Sequence, residues 1–101
     1  MLQIGELKAK ARDIVESQRG QLTQLSLNIH DNPELGFQEE KASSWLSNYL
    51  EENGFRVEKG IAGLPTAFGA TYGQGKPTVA LLAEYDALPK IGHGCGHNII
   101  A

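Results

Sequence analysis

The spacing of the apolar residues changes once along this chain of 101 residues, and that change restricts the fold to helices followed by strands. Before residue 54, apolar residues recur every three or four positions, as they do on one face of an α-helix. From Phe55 onward they alternate with polar residues or form short runs, as they do in strands. The chain is therefore predicted to be α/β, with two helices followed by a β-hairpin and a central strand in one domain.

The first predicted helix is long and has one narrow apolar stripe. The stripe comprises Leu7, Ala11, Ile14, Val15, Gln18, Leu22, Leu25 and Ile29. Gly20 lies inside this helix and costs about 1 kcal/mol relative to alanine, so a bend or break is expected there. The helix should end near Asn32, because a residue before proline is driven out of the helical region, and Gly36 permits a positive φ beyond it.

A second helix is predicted from about Glu39 to Asn53. Its buried face is expected to contain Ala42, Trp45, Leu46, Tyr49 and Leu50. Gly54 follows this helix, at the position where a left-handed residue commonly ends one.

Three strands are predicted after Gly54. Phe55–Glu58 alternates and is typical of an edge strand, and Thr66–Tyr72 is a second β-type run. Thr78–Ala83 is apolar on both faces and is predicted to be the central strand. We expect the second and third runs to pair as a hairpin around the turn at Gly73–Pro77.

Charge and apolar content exclude several classes of protein. The formal net charge is −3, and residues 31–60 hold seven acidic and three basic residues, which is typical of a solvated helix face. No basic patch could follow a phosphate backbone, so a nucleic-acid partner is not expected. The longest apolar run, Val79–Ala83, is far too short to span a membrane, and the first residues lack a secretion signal. With one cysteine and no internal disulfide, a cytoplasmic protein is expected.

The residues best suited to chemistry lie within residues 84–98, directly after the predicted central strand, where sites in α/β sheets are usually found. In an extended segment His93, Cys95 and His97 would point to the same side, and the glycines between them would let the backbone approach an ion. Thiolate and imidazole groups bind zinc and related divalent ions. A nearby carboxylate such as that of Asp86 can accept the second ring N–H of a ligating histidine. The pattern predicts half of a metal site.

Structural roles stay open for each of these residues. Cys95 could be a small buried hydrophobe, and each histidine could be a satisfied surface or core group. Asp86 could cap a turn before Pro89. A redox-active Cys95 thiolate, favoured by the two histidines, is a further alternative, although the chain has no resolving cysteine. His30 and the Trp45 face are interpreted as structural.

Three motifs resemble those of the M-twenty peptidases, and in particular their amidohydrolase and aminoacylase branch. They are Ala83-Glu84-Tyr85-Asp86-Ala87-Leu88-Pro89, then His93-Gly94-Cys95-Gly96-His97-Asn98, and upstream His30-Asp31-Asn32-Pro33-Glu34-Leu35-Gly36-Phe37. The sequence departs from the common signature at Glu84, where Asp is usual, at Gly94 in place of Ala, and at Asn98 in place of Asp. The glutamate and asparagine forms are similar to a sub-branch that contains aminobenzoyl-glutamate hydrolases and a dipeptidase.

This resemblance implies metal-dependent hydrolysis of the amide bond in an N-acyl amino acid or a dipeptide. It implies that Cys95 and His97 are metal ligands and that Asp86, a residue of the catalytic site, supports the metal from behind. The metal would be zinc or manganese, with two ions in a full-length, homodimeric enzyme.

The resemblance also implies that residues 1–101 are the N-terminal portion of a single zinc-peptidase-like catalytic domain. The general base and the remaining ligands would then lie beyond Ala101. We expect the isolated chain to be inactive and either marginally folded or self-associating. The alternative is a non-catalytic metal-binding or interaction remnant of such an enzyme.

Overall fold

The computed structural model describes residues 3–101 and contains helices followed by a two-stranded antiparallel sheet. The elements are α1 (Ile4–Ser17), α2 (Arg19–Asp31), α3 (Glu40–Glu52), β1 (Arg56–Lys59), a 3₁₀ turn (Ile61–Gly63), β2 (Phe68–Thr71) and α4 (His97–Ile100). In the sheet, Arg56 lies opposite Thr71 and Lys59 lies opposite Phe68. The predicted mixed α/β class is confirmed. In the part of the chain that the structure describes, no helix has the length and apolar character needed to cross a membrane.

The long first helix is divided into α1 and α2, and the break lies at Gln18 rather than at Gly20. Gln18 has φ −104° and ψ 8°, and its backbone N–H donates to the Val15 carbonyl at 3.1 Å instead of to the residue four positions back. The Gln18 side chain accepts a hydrogen bond from the Tyr49 hydroxyl of α3. This contact ties the junction between α1 and α2 to the third helix, a constraint that helix propensity alone does not include.

The core lies between α2, α3 and the sheet. Its buried residues are Ile29, Ala42 and Leu46, with Leu25, Trp45, Phe68 and Tyr85 packed against them. The prediction for α3 is correct for Ala42 and Leu46, whereas Trp45 is half-buried and the small residues Ser43 and Ser47 are buried instead. Ser47 can be buried because its hydroxyl donates to the Ser44 carbonyl at 3.2 Å.

The predicted central strand does not form. Thr78–Ala83 has no strand conformation, and Val79, Leu81 and Leu82 are 82, 94 and 95% exposed. The strand β2 pairs with β1, so the predicted hairpin between the second and third runs is also wrong. A strand that is apolar on both faces is stable between two covering layers, whereas within residues 3–101 the sheet is covered by α3 alone. The connection through the 3₁₀ turn is short enough for β1 and β2 to pair locally.

The segment between α2 and α3 is held by the Glu34 carboxylate. Its two oxygens accept the backbone N–H groups of Lys41 and Ala42, each at 2.9 Å, and so satisfy the first turn of α3. Positive φ occurs at Phe37 (69°) rather than at Gly36, where we expected it, because Leu35–Gln38 closes as a turn one residue later. At the other end of α3 the prediction is confirmed, since Gly54 has φ 90°.

Candidate functional site

The segment that carries the predicted site is anchored to the rest of the fold at Ala87. The Ala87 N–H donates to the Glu34 carbonyl at 2.7 Å, and Leu35 and Ala87 form a parallel bridge. Leu88 and Gly92 then exchange two hydrogen bonds, of 2.8 and 3.1 Å, around a tight turn. Because this turn reverses the chain, residue 97 returns to residue 86.

His97 is held by Asp86. Its Nδ1 lies 2.9 Å from Oδ1 of Asp86 and 3.0 Å from the Asp86 backbone oxygen. Since both of these oxygens can only accept, Nδ1 carries the proton, and in the neutral ring Nε2 keeps its lone pair. That Nε2 lies 3.7 Å from Oε1 of Glu84. A carboxylate on one ring nitrogen and a free lone pair on the other is the arrangement found around metal-binding histidines.

His97 is also positioned by its place at the start of α4. Gly96 precedes it in a left-handed conformation, with φ 83°, which directs the chain into the short helix. Asn98, the next residue, donates from Nδ2 to Oγ of Ser26 at 3.2 Å and so attaches α4 to α2. The His97 side chain is 21% exposed, which leaves its free nitrogen accessible.

Cys95 is exposed, so the alternative that it is a small buried hydrophobe is wrong. An exposed thiol two residues before His97 in sequence is free to bind a metal or to react. Within residues 3–101, however, no three side chains of histidine, cysteine, aspartate or glutamate converge as a metal-binding group. The donor set therefore fits one side of a metal site, with His97 oriented by Asp86 and Cys95 accessible, and not a complete coordination shell. The assignment of Cys95 and His97 as ligands stays a prediction.

His93 does not lie on the same side as Cys95, contrary to expectation. Residues 93–96 form a turn closed by the Gly96 N–H and the His93 carbonyl at 3.0 Å, so the alternation of an extended segment does not apply. The His93 side chain is only 7% exposed, and its ring centroid lies 6.5 Å from that of His30. Burial lowers the pKa of His93, and the neighbouring His30 and His97 lower it further, against the opposite effects of Asp86 and the Ile29 backbone.

Two contributors to this region are not evident from the sequence. The motifs mark Glu84 only as a nearby carboxylate, yet it faces Nε2 of His97. They mark Glu34 only as part of a conserved-looking run, yet it joins α3 to the Asp86 segment through its side chain and its carbonyl. Both contacts join residues well separated in sequence, so spacing along the chain could not reveal them.

No family model matches the chain. It is 38% identical to a p-aminobenzoyl-glutamate hydrolase of Escherichia coli, over 87% of this chain and 22% of that protein. It is 37% identical to the Xaa-Arg dipeptidase of Mus musculus, over 94% of this chain and 24% of that protein. It is 34% identical to the thermostable carboxypeptidase 2 of Saccharolobus solfataricus, over 92% of this chain and 28% of that protein. The chain thus spans 22 to 28% of the length of these relatives. Over the length that it covers, the chain belongs to the amidohydrolases of the M-twenty peptidase family.

Proposed function

We propose that this chain contributes part of a divalent-metal site to the hydrolysis of an amide bond in an N-acyl amino acid or a dipeptide. The observation that supports this most directly is the His97 ring, whose Nδ1 is held by Asp86 while Nε2 is left free, close in sequence to an accessible thiol. The names of the relatives support the class of bond, since one is a hydrolase of p-aminobenzoyl-glutamate and another is a dipeptidase of Xaa-Arg.

Each residue has a distinct role in this proposal. The Cys95 thiolate and Nε2 of His97 bind one ion, zinc or manganese, through their lone pairs. Asp86 accepts the Nδ1 proton, which fixes the ring and makes Nε2 a stronger donor. Glu84 adds negative charge on the Nε2 side, 3.7 Å away. When bound, the metal supplies a Lewis acid that polarises a carbonyl and lowers the pKa of a coordinated water.

The same proposal places residues 1–101 at the N-terminal end of one catalytic domain. A coverage of 22 to 28% of the relatives supports it. The general base, the further ligands and a second ion then belong to the rest of that domain, in a cytoplasmic homodimer. On this basis the 101-residue chain is inactive by itself.

Metal protection of Cys95 tests the ligand assignment. The rate at which a disulfide reagent modifies Cys95 should fall when zinc is added to the wild-type chain, since a metal-bound thiolate is a poorer nucleophile. His97→Ala should lose this protection, whereas His30→Gln, which removes an exposed histidine outside the pair, should keep it. An unchanged modification rate at saturating zinc would show that Cys95 is not a ligand, and would favour the redox alternative.

A non-catalytic metal-binding or interaction remnant is the second candidate function. It is favoured by the absence of three converging ligands in the described part of the chain. A hydrolysis assay with an Xaa-Arg dipeptide and p-aminobenzoyl-glutamate, in zinc and in manganese, measures activity directly. We expect no turnover by the 101-residue chain; metal-dependent turnover lost in His97→Ala would show that it is catalytic unaided.

A further inference from the structure

His93 is a buried imidazole that has no hydrogen-bond partner in the described part of the chain. Neither Nδ1 nor Nε2 makes a hydrogen bond, although the residue is only 7% exposed. An unpaired buried polar group costs about 1–3 kcal/mol, and an apolar ring of similar size would avoid this cost. Buried polar groups of this kind call for an explanation.

The surroundings of His93 indicate which group it could serve. One side of the ring packs near His30, at 6.5 Å between centroids and with an interplanar angle of 31°. Asp86 and His97 are close enough to act electrostatically on the ring. Asp86 uses Oδ1 for Nδ1 of His97, and within residues 3–101 its Oδ2 makes no hydrogen bond. An unpaired N–H donor and an unpaired carboxylate oxygen therefore lie in the same cluster.

We propose that His93 is a positioning residue for His97, and that in the metal-loaded site its ring N–H donates to Oδ2 of Asp86. The carboxylate is then held by two imidazoles, and its orientation towards Nδ1 of His97 becomes fixed. The turn over residues 93–96, closed by the 3.0 Å bond from Gly96 to His93, keeps the donor next to this carboxylate. The inference rests on the proposed function, because His97 needs a fixed orientation only if Nε2 binds a metal.

The test compares zinc affinity with stability in three variants of the 101-residue chain. His93→Phe keeps the ring and removes both nitrogens. We expect its zinc affinity, measured by competition with a chelating dye, to fall about tenfold or more, in the range typical for groups that support a metal ligand. Its thermal midpoint should stay the same or rise, because the unpaired nitrogens are gone. His93→Gln restores a donor and should recover most of the affinity, and His30→Gln is the matched control.

A spectroscopic signal separates positioning from packing. In the zinc-loaded wild type, the Nδ1 proton of His97 should give a nitrogen-15 NMR signal that moves in His93→Phe and returns in His93→Gln. Equal zinc affinity in the wild type and His93→Phe would overturn this inference and leave the proposed function intact. Loss of affinity together with a lower thermal midpoint, without recovery in His93→Gln, would also overturn it. Failure of zinc to protect Cys95 in the wild type would overturn the proposed function and the inference together.

Discussion

At the scale of single residues, Glu34 makes the contacts with the widest reach. Its carboxylate accepts two N–H groups at the start of α3, and its carbonyl accepts the N–H of Ala87 beside Asp86. The residue at the N-cap position itself, Glu39, makes no capping hydrogen bond. The start of α3 is therefore stabilised by a residue six positions before the helix begins.

Replacing Glu34 should weaken this junction. Glu34→Ala removes both acceptors, and we expect the free energy of unfolding to fall by about 1–2 kcal/mol, the size of a lost N-cap. Glu34→Gln keeps one acceptor oxygen and should lose less. Denaturant unfolding followed by circular dichroism measures the change, with Glu52→Ala, an exposed glutamate of the same helix, as the control. Equal stability of Glu34→Ala and the control would contradict the role given to this carboxylate.

Tyr85 should make stability depend on pH at the alkaline end. Burial raises the pKa of Tyr85 above its ordinary value of 10.0, a hydrogen bond from Ser43 opposes this, and Glu39 adds to it. Because the folded chain holds the phenol proton more tightly than the unfolded chain, the stabilisation is complete below about pH 10 and is lost as the pH rises through the folded pKa. Unfolding free energies between pH 8.5 and about pH 11 should therefore fall less steeply in Tyr85→Phe. Tyr72→Phe, which alters an exposed tyrosine, should not reproduce this flattening.

At the scale of the elements, the helix ends follow local rules and the strands do not. The bounds of α3, Glu40–Glu52, lie within one residue of those predicted, because an apolar stripe and a following glycine specify them locally. The edge strand β1 is also predicted within one residue. The prediction for Thr78–Ala83 is wrong because strand formation requires a partner, and sequence does not state which partner is at hand. The pairing of His97 with Asp86 is predictable in kind, whereas the burial of His93 depends on a turn at Gly96 that period-two alternation ignores.

Two glycines should respond to alanine with opposite signs. Gly54 has φ 90°, and a Cβ there would lie 3.5 Å from the Tyr72 ring, so Gly54→Ala should destabilise the chain by about 1 kcal/mol through backbone strain. Gly20 lies inside α2, and a Cβ there would meet no atom within 4 Å, so Gly20→Ala should stabilise by about 0.5–1 kcal/mol. Thermal unfolding of the two variants side by side checks both signs. A stabilising Gly54→Ala would contradict the end assigned to α3.

At the scale of the whole molecule, a large part of the apolar surface is uncovered. Helix α1 has no buried residue, and the segment over residues 78–83 exposes Leu81 and Leu82 almost completely. The described core contains few buried hydrophobic residues. A chain with so small a core and so much exposed leucine gains free energy by covering that surface, which agrees with the expectation of marginal stability or self-association.

Association should therefore depend on the exposed apolar segment. Leu81→Lys removes a side chain whose burial is worth about 1.5–3 kcal/mol, so the dissociation constant for self-association should rise about tenfold or more. Sedimentation velocity across a range of concentrations measures this. Gln74→Lys adds the same charge to an exposed residue outside the segment and should leave association unchanged. Equal effects of the two variants would assign association to net charge instead.

The bridge between Leu35 and Ala87 has a practical consequence for protein engineering. A peptide of residues 84–101 has the histidines, the thiol and the carboxylates, but it lacks the Glu34 carbonyl that receives the Ala87 N–H. Transplanting this stretch into another scaffold would therefore leave Asp86 without its backbone support. A successful graft has to carry two non-contiguous pieces, with residues 34 and 35 supplied alongside.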